Sequence, residues 1–366
     1  MMIEQKFGHQ IPAVVALSGG VDSAVAAALL VEQGYAVTGV MLKLWAECGA
    51  GNCHINRCCT PASVARAGEV AAQLGIPFRL IDVQDEFREA VVDYFIAEYA
   101  AGRTPCPCVP CNHTIRFGLL LDLALRSGAE FLATGHYARI HRNGEQYSLL
   151  RGVDRTKDQS YFLHILGQHH LAHVRFPLGE MTKAEVREMA RHRNLPVAEE
   201  PESQDLCFLG DGDYRRFLSE RVPEFFTPGP IRNARGYVLG EHQGLPAYTI
   251  GQRGGLNITA AEPLYVLEIV AEENALIVGT REELGRSTCS VDAMRYVTGD
   301  VPGAAFRANV QIRSQAEATT ATVTPLSESR VQVDFDQPQR AVTPGQFLVI
   351  YNGAEVLGGG VMLSRH

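Results

Sequence analysis

One short stretch combines two hydroxyls, two glycines and a carboxylate at a spacing suited to phosphate binding. It reads Ser18-Gly19-Gly20-Val21-Asp22-Ser23 and stands between an apolar segment and an alanine-rich segment. In a strand–turn–helix arrangement, the N–H groups of the turn and the positive end of the helix dipole meet at one point, which favours an anion. Ser18 and Ser23 add hydroxyl donors, and the Asp22 carboxylate is a ligand type that Mg²⁺ prefers.

Cysteines form a second set of reactive side chains. The chain has nine of them, an odd number that does not suit a framework of structural disulfides. Cys106, Cys108 and Cys111 lie in a segment stiffened by three prolines, and Cys207 lies between Leu206 and Phe208. In a reducing compartment this distribution indicates catalysis or metal binding.

A further cysteine cluster near residue 50 leaves two interpretations open. It comprises Cys48, Cys53, His54, Cys58 and Cys59. These residues could ligate zinc, but their spacing does not repeat a Cys-x-x-Cys knuckle, so thiols that bind no metal are the favoured alternative.

The elements that must position these residues follow a repeating strand–helix order. The β-branched run Ile11 to Leu17 predicts a buried strand, and the alanine-rich run Ser23 to Gln33 predicts a helix that Gly34 ends. The remaining strands are predicted at 37–42, 76–82 and 130–134, and the remaining helices at 62–74, 85–99, 114–126 and 183–193. A capping box, Thr182 to Glu185, predicts the start of the last of these helices. This order predicts an α/β fold with a doubly wound parallel sheet, whose strands present their carboxyl ends to a ligand.

The pattern changes after Pro228, where short β-rich runs alternate with Gly, Pro and Asn turns. Strands are predicted at 265–270, 276–279, 305–313, 318–323, 331–335 and 347–351. Such a series is typical of an antiparallel β-barrel. We therefore expect a catalytic domain at 1–210, a small connecting domain at 211–275 and a C-terminal β-barrel at 276–366.

The composition is that of an ordinary globular protein, with 46% hydrophobic and 20% charged residues. The net charge of −8 argues against a broad basic surface for nucleic acid, although a local basic groove remains compatible with it. Because no apolar run reaches about 18 residues and the N-terminal residues lack the core of a signal peptide, we expect a cytoplasmic protein without a membrane partner.

The glycine-rich stretch resembles a known nucleotide-binding loop. It lacks the lysine of a Walker loop, and it is similar to the PP-loop of the ATP pyrophosphatases, Ser-Gly-Gly-x-Asp-Ser. The resemblance implies that ATP binds here with Mg²⁺ at Asp22. The implied ATP-binding residues are Ala16, Leu17, Ser18, Gly19, Gly20, Val21, Asp22, Ser23, Leu42 and Gly135.

Further motifs, collinear along nearly the whole chain, resemble those of the tRNA-specific 2-thiouridylase family. They are the glycine turn at 18–23 and the segments 104–112, 133–139, 157–163, 202–209, 248–253, 343–346 and 357–360. The resemblance implies an ATP-dependent tRNA-uridine 2-sulfurtransferase that adenylates C2 of the wobble uridine and replaces its oxygen with sulfur. The products are 2-thiouridine, AMP and pyrophosphate.

The same resemblance implies roles for two cysteines. Cys207 corresponds to the cysteine that carries a terminal persulfide, and Cys111 corresponds to the partner nucleophile. A transient, catalytic Cys111–Cys207 disulfide follows if Cys111 displaces the sulfur. Cys111 is expected just before a helix beginning near Thr114, where the helix dipole favours the thiolate.

The chain departs from the family pattern at Cys108, where some members have Asp, and at Cys106, where Asn is frequent. Cys108 adds a third thiol to Cys111 and Cys207. These three cysteines could bind an iron–sulfur cluster that leaves one iron open for a sulfide, or they could act as redox thiols. The residues alone leave persulfide and cluster mechanisms both open.

The resemblance also implies contacts with tRNA and with the target base. The implied residues are Cys106, Pro107, Cys108, His136, Lys157, Asp158, Gln159, Gln311, Arg313 and Gln346. Asp158 and Gln159 could instead cap the following helix, and His136 could be a buried core histidine.

The partners implied are tRNA isoacceptors for Lys, Glu and Gln and a protein that donates persulfide sulfur. Two other functions remain as alternatives. A different PP-loop ligase would need no cysteine, and a non-catalytic iron–sulfur or tRNA-binding protein would not turn over ATP.

Overall fold

The computed structural model describes residues 10–45, 47–49, 52–54, 59–201, 206–210 and 212–363. Its contacts divide the chain into two compact units. The first unit comprises residues 1–88 and 111–211, and the second comprises residues 89–110 and 212–366. The short segment 89–110 therefore packs with the C-terminal part of the chain, a grouping that sequence order did not reveal.

The strands of the described residues are numbered in chain order. They are β1 Pro12–Ala16, β2 Ala36–Lys43, β3 Glu47–Gly49, β4 Asn52–His54, β5 Phe78–Asp82, β6 Phe131–Ala133, β7 Ala138–Asn143, β8 Gln146–Arg151, β9 Val174–Arg175, β10 Gly229–Asn233, β11 Val238–His242, β12 Tyr265–Val270, β13 Ala275–Gly279, β14 Gly285–Tyr296, β15 Phe306–Gln311, β16 Thr319–Pro325, β17 Val331–Arg340, β18 Phe347–Asn352 and β19 Glu355–Met362.

The helices follow the same scheme. The α-helices are α1 Val21–Glu32, α2 Pro61–Gln73, α3 Gln84–Phe87, α4 Tyr94–Ala100, α5 Cys108–Pro110, α6 Leu121–Arg126, α7 Ser160–Leu163, α8 Gln168–His173, α9 Lys183–His192 and α10 Tyr214–Arg221. Two π-helical stretches, Arg88–Asp93 and Cys111–Leu120, connect α3 to α4 and α5 to α6.

The first unit is built on a five-stranded parallel sheet in the order β5-β2-β1-β6-β9. The predicted doubly wound fold is thus confirmed. The chain reverses its direction of winding between β1 and β6, which makes this the topological switch point where such sheets bind ligands. The turns after these two strands contain Ser18–Ser23 and Gly135, so both predicted segments reach the same edge.

Helix α1 lies against this sheet on a surface of small side chains. Ala24, Val25, Ala26 and Ala27 are at most 1% exposed, because alanine lets the helix backbone approach the strands closely. The helix begins at Val21, two residues before the prediction. Glycine at position 20 is extended and ends the turn.

The cysteine segment differs from the prediction. Helical structure was expected only from Thr114, whereas α5 begins at Cys108 and continues directly through the π-helical stretch from Cys111. Pro110 is compatible with this position because the N–H groups of a first helical turn have no partner within the helix. Cys111 is therefore part of the helix rather than a residue preceding it.

The second unit contains the predicted barrel. Strands β14, β17, β16, β15, β18 and β19 pair antiparallel in that order, and β19 returns to β14, which closes six strands into a barrel. At this β14–β19 seam the backbones approach closely: a Cβ on Gly358 would lie 2.2 Å from the Arg295 carbonyl oxygen, and one on Gly360 would lie 2.5 Å from that of Asp292. The sequence analysis missed β14 and β19.

A four-stranded sheet in the order β11-β10-β13-β12 forms the rest of the second unit with α10 and α4. Tyr99 stacks on Tyr214, and Phe95 packs near Phe217, with ring centroids 5.1 Å and 6.3 Å apart. Across the ranges that the structure describes, no helix is long and apolar enough to cross a membrane.

Candidate active site

The glycine turn between β1 and α1 is held in one conformation by its two serines. The Ser18 N–H donates to Ser23 Oγ at 3.1 Å, and Ser23 Oγ donates to the Gly20 carbonyl at 3.0 Å. Gly19 has a φ of +74°, and a Cβ there would lie 2.4 Å from the Ser63 carbonyl oxygen. Both features require glycine, because other residues avoid this φ and no side chain fits.

A cavity of ≈ 280 Å³ opens at this turn. Nine of the ten residues that the PP-loop resemblance implied line it: Ala16, Leu17, Ser18, Gly19, Gly20, Asp22, Ser23, Leu42 and Gly135. Val21 does not, because its side chain points into the core and is 4% exposed. Residues from β1, β2 and the turn after β6 thus surround one space of a size that a small ligand could occupy.

The sequence analysis missed the cation that faces Asp22. Lys183 Nζ lies 2.6 Å from Oδ1 and 2.8 Å from Oδ2 of Asp22, and the Tyr137 hydroxyl donates to the same Oδ1 at 2.8 Å. The Thr182–Glu185 capping box was predicted and is confirmed, so the start of α9 was known. Its first residue, Lys183, was not linked to the glycine turn.

Two arginines also line the cavity. Arg66 Nε donates to the Gly19 carbonyl at 3.4 Å, and its guanidinium lies 3.7 Å from a Glu200 carboxylate oxygen. Arg116, from the π-helical stretch that begins at Cys111, is the other. Positive side chains therefore surround a turn that already presents N–H groups, which suits a ligand with several negative charges.

Cys111 lines the same cavity and is 7% exposed. Cys59 lines it as well: its Sγ donates to the Leu42 carbonyl at 3.1 Å and accepts from the Leu44 N–H at 3.4 Å. The structure thus brings a predicted nucleophile to the predicted nucleotide pocket. The other members of the cluster near residue 50 lie where side chains are not described.

Cys207 is placed by its neighbour. Phe208 is 1% exposed and packs edge-on to Phe87, with ring centroids 6.2 Å apart. Cys207 is partly buried and is not among the cavity-lining residues of the described chain. The motif residues 202–205 lie outside the described residues, so the Cys111–Cys207 pair stays a prediction.

Cys106, Pro107 and Cys108 belong to the second unit. Burial raises the pKa of the Cys106 thiol to about 11, and the N–H groups of Val109 and Cys108 offset this only in part. Pro107 is buried and Cys108 is exposed. Cys106 is partly buried, and the contacts of these three residues with the target base stay predictions.

No three His, Cys, Asp or Glu side chains are grouped to hold a metal ion in the part of the chain that the structure describes. The iron–sulfur cluster at Cys108, Cys111 and Cys207 and the Mg²⁺ ion at Asp22 both stay predictions, although Asp22 does line the cavity.

His136, an expected tRNA contact, has a largely buried side chain, and that contact stays a prediction. Its ring is 7% exposed and lies between Phe117 and Phe176, with ring centroids 5.6 Å and 5.8 Å away. Its Nδ1 lies 2.7 Å from Thr134 Oγ1, and burial lowers its pKa to about 3. The ring is therefore neutral at physiological pH and cannot attract a phosphate as a cation, although it does line the cavity.

Asp158 makes the hydrogen bond that the capping alternative predicts. Its carboxylate accepts from the Ser160 N–H at 3.1 Å, from the Gly152 N–H at 3.0 Å and from Arg151 at 3.0 Å. Its contact with tRNA stays a prediction. Gln159 lines the cavity and accepts from the Tyr137 N–H at 3.0 Å, whereas the contact expected of Lys157 stays a prediction.

The three barrel residues expected to contact tRNA are bound within the second unit. Gln311 is 4% exposed, and its amide donates to the Ser314 carbonyl at 3.0 Å. Arg313 and Gln346 donate to backbone carbonyls. The contacts of these three residues with tRNA stay predictions.

Three family models match consecutive parts of the chain. A tRNA methyl transferase HUP domain matches residues 12–211, a tRNA methyl transferase PRC-barrel domain matches residues 215–280, and an aminomethyltransferase beta-barrel domain matches residues 286–362. The first alone spans more than half of the chain.

Curated relatives are similar over almost their whole length. The "tRNA-specific 2-thiouridylase MnmA" of Roseiflexus castenholzii is 49% identical over 363 residues, covering 95% of this chain and 98% of the relative. The protein of the same name from Herpetosiphon aurantiacus is 49% identical over 348 residues, covering 95% and 97%. That of Symbiobacterium thermophilum is 46% identical over 357 residues, covering 95% and 91%.

Replacing Gly19 tests the geometry of the turn. In Gly19→Ala the new Cβ meets the Ser63 carbonyl at 2.4 Å, so we expect ATP affinity to fall at least about 100-fold. Gly34→Ala is the matched control: Gly34 also has a positive φ, +85°, but nothing lies within 4 Å of its Cβ position. The control should lose about 1 kcal/mol of stability and retain ATP binding. Equal ATP affinity in both variants, by calorimetry, would contradict this geometry.

His136 predicts a specific pH dependence of stability. Its pKa is lowered in the folded state from an ordinary 6.5 to about 3, so unfolding takes up a proton between these values and stability falls as pH falls. From pH 6.5 to 5 the wild type should lose roughly 1.5 kcal/mol more than His136→Gln, measured by urea unfolding. Identical losses would show that the ring is protonated in the folded state.

Proposed function

The chain belongs to the tRNA-specific 2-thiouridylase (MnmA) family, and from this premise we propose that it adenylates the wobble uridine of tRNA in the cavity at Ser18–Ser23 and then thiolates it. Its activity is that of a tRNA-uridine 2-sulfurtransferase, as in the relatives that it matches nearly end to end. One observation carries the proposal: Cys111, a sulfur nucleophile, lines the same cavity as a phosphate-binding turn.

The first step activates a poor electrophile. The C2 oxygen of uridine attacks the α-phosphorus of ATP, the bond between this phosphorus and the α,β-bridging oxygen breaks, and pyrophosphate leaves. The turn N–H groups, Ser18 and Lys183 are placed to stabilise the departing negative charge. Mg²⁺ held by Asp22 and the phosphates would supply further charge neutralisation.

The second step replaces oxygen with sulfur. The terminal sulfur of a persulfide on Cys207 attacks C2, and AMP leaves with the former C2 oxygen. The Cys111 thiolate then attacks Cys207 Sγ, which releases 2-thiouridine and leaves a Cys111–Cys207 disulfide. Alternatively, Cys111 attacks Cys207 Sγ first, and the released hydrosulfide attacks C2. Either order leaves a disulfide that a dithiol reductant must reduce.

Cys111 is suited to the nucleophilic role by its surroundings. It lies in the first turns of a helical segment that begins at Cys108, and Arg116 lines the same cavity. Both the helix dipole and a nearby cation favour a thiolate. We keep the persulfide route, because it requires only Cys111 and Cys207 to meet during the reaction, whereas a cluster requires three thiols held together.

The substrate tRNA must present one base to an enclosed site. A uridine in a stacked anticodon cannot reach the cavity, so the base has to be turned out of its stack. We infer tRNA isoacceptors for Lys, Glu and Gln, a protein persulfide donor and a cytoplasmic location, where these partners and ATP are present together.

The two other candidate functions receive less support. A PP-loop ligase without sulfur chemistry has no use for a thiol at Cys111, and curated relatives at 46–49% identity are 2-thiouridylases by name. A non-catalytic protein has no use for a cavity that a glycine turn and a nucleophilic thiol line together.

Removing either thiol separates the two steps. In Cys207→Ala and Cys111→Ser we expect 2-thiouridine formation to fall at least about 1,000-fold while ATP-dependent AMP formation and tRNA affinity remain. Thiolation is read by retardation of tRNA in a mercury gel. Cys289→Ala, which removes a buried thiol of the barrel, is the control and should thiolate normally. Full thiolation by either site variant would remove that cysteine from the sulfur transfer.

Removing Lys183 tests the first step. Because Lys183 faces Asp22, we expect Lys183→Ala to lower the rate of AMP formation on the order of 100-fold and Lys183→Arg to restore part of it. Arg193→Ala is the matched control on the same helix, since it breaks an ion pair with Glu32 away from the cavity. A Lys183→Ala enzyme that forms AMP as fast as Arg193→Ala would exclude Lys183 from adenylation.

A further inference from the structure

Two sequence motifs have no role in the chemistry derived above. They are residues 248–253 and residues 343–346, and both lie in the second unit with the loop 104–108 that carries Cys106 and Cys108. Their hydrogen bonds converge on that loop. These hydrogen bonds determine how the loop is held.

Gln346 is bound to the backbone of the loop. Its Nε2 donates to the carbonyl oxygens of Thr104 at 2.9 Å and Pro105 at 3.1 Å. The Thr104 N–H in turn donates to the Pro344 carbonyl at 2.9 Å. A proline at 105 leaves the loop with fewer N–H groups for holding itself in place, so donors must come from elsewhere.

Gly345 lets the two backbones approach. It has a φ of +87°, and a Cβ there would lie 3.0 Å from both the Arg103 Cβ and the Thr104 carbonyl oxygen. This distance is shorter than ordinary contacts allow, so only glycine permits the barrel turn to lie against the loop. Gln346 follows directly and is thereby aimed at the carbonyls.

Arg313 and Thr249 extend the contact. Arg313 Nη2 donates to Thr343 Oγ1 at 2.7 Å and to the carbonyls of Ile250 and Ala341, each at 3.2 Å. Thr249 Oγ1 lies 3.3 Å from Thr104 Oγ1. The turn at 249–250, the turn at 341–346 and the loop are thus connected by side-chain donors.

The loop held in this way has two unlike thiols. Cys106 is partly buried, and its Sγ faces the N–H groups of Cys108 and Val109. Cys108, at the start of α5, is exposed. A shift of the loop would change which of the two sulfurs faces solvent.

We propose that Gln346 and Arg313 are positioning residues that hold the cysteine loop 104–108 on the barrel, so that Cys106 stays partly buried and Cys108 is exposed. The tRNA contact implied by resemblance is the competing role. Both N–H bonds of the Gln346 side-chain amide are directed at carbonyl oxygens. Only the amide oxygen remains for a contact with tRNA, and a hydrogen-bond acceptor does not attract a phosphate. For the reaction itself, the inference rests on the proposed function, since it concerns thiols beside the target base.

The test compares the reactivity of the two cysteines in the intact enzyme. In Gln346→Glu, a carboxylate replaces both donors and faces two carbonyl oxygens, so the loop should detach. Native protein is treated with iodoacetamide for increasing times, and peptide mass spectrometry follows each thiol. We expect Cys106 to be alkylated at least tenfold faster than in the wild type, and amide hydrogen exchange at 103–109 to rise, while tRNA affinity changes less than twofold.

Gln339→Glu is the matched control. Gln339 is also a barrel glutamine, and its amide donates only to the nearby Gln337 carbonyl on an exposed stretch. It should leave alkylation and exchange unchanged. Gln346→Ala, which removes the donors without adding a charge, gives the same comparison if the glutamate variant does not fold.

Three outcomes decide the proposal, and the first two do so without any thiolation assay. Faster Cys106 alkylation in folded Gln346→Glu or Gln346→Ala with unchanged tRNA affinity supports it. Unchanged alkylation and exchange in both variants overturns it, as does a loss of tRNA affinity with an unaltered loop. If the wild type thiolates, Gln346→Ala should lower kcat for thiolation more than KM for tRNA, while AMP formation stays normal.

Discussion

The close approach of Gly19 to the Ser63 carbonyl is the constraint on which the active-site cavity depends. A Cβ on Gly19 would lie 2.4 Å from the Ser63 carbonyl oxygen. The glycine turn can therefore pack this closely against the first turn of α2 only if position 19 has no side chain. Arg66, on the same helix, is thereby brought to the turn. Gly135 does the same on the other side, where a Cβ would lie 2.8 Å from the Asp22 backbone. Small residues thus bring several donors and cations to one point without using side chains to fill it.

Residues from three separate segments of the chain meet at this cavity and supply its chemical groups. β1 supplies the turn, the π-helical stretch supplies Cys111 and Arg116, and α9 supplies Lys183. Lys183 compensates the charge of the Asp22 carboxylate, so this carboxylate does not repel a polyphosphate as an unpaired anion would. The Cys111 thiol lines the same cavity as the glycine turn, so a phosphate-binding feature and a sulfur nucleophile share one space.

Sequence reasoning succeeded where the determinant is local. Apolar periodicity, alanine content and turn residues predicted β1, α1, the parallel sheet and most barrel strands, and the capping box at Thr182 set the start of α9. It failed where partners are distant in the chain. Lys183 and Asp22 are 161 positions apart, and Gln346 and Thr104 are 242 apart, so no local pattern links them. The segment Cys108 to Pro110 was predicted as a loop because it contains proline, but the first turn of a helix also accepts proline.

The pairing of β14 with β19 also protects the protein from association with other molecules. Because Gly358 and Gly360 allow the two backbones to meet, every barrel strand has a neighbour on both sides. Opening the seam would turn β14 and β19 into bare edges, and long apolar edges recruit strands from other molecules. Substituting larger residues for Gly358 and Gly360 would therefore cause aggregation before it reduced catalysis. The glycines protect the protein from self-association although they lie far from any reactive atom in sequence.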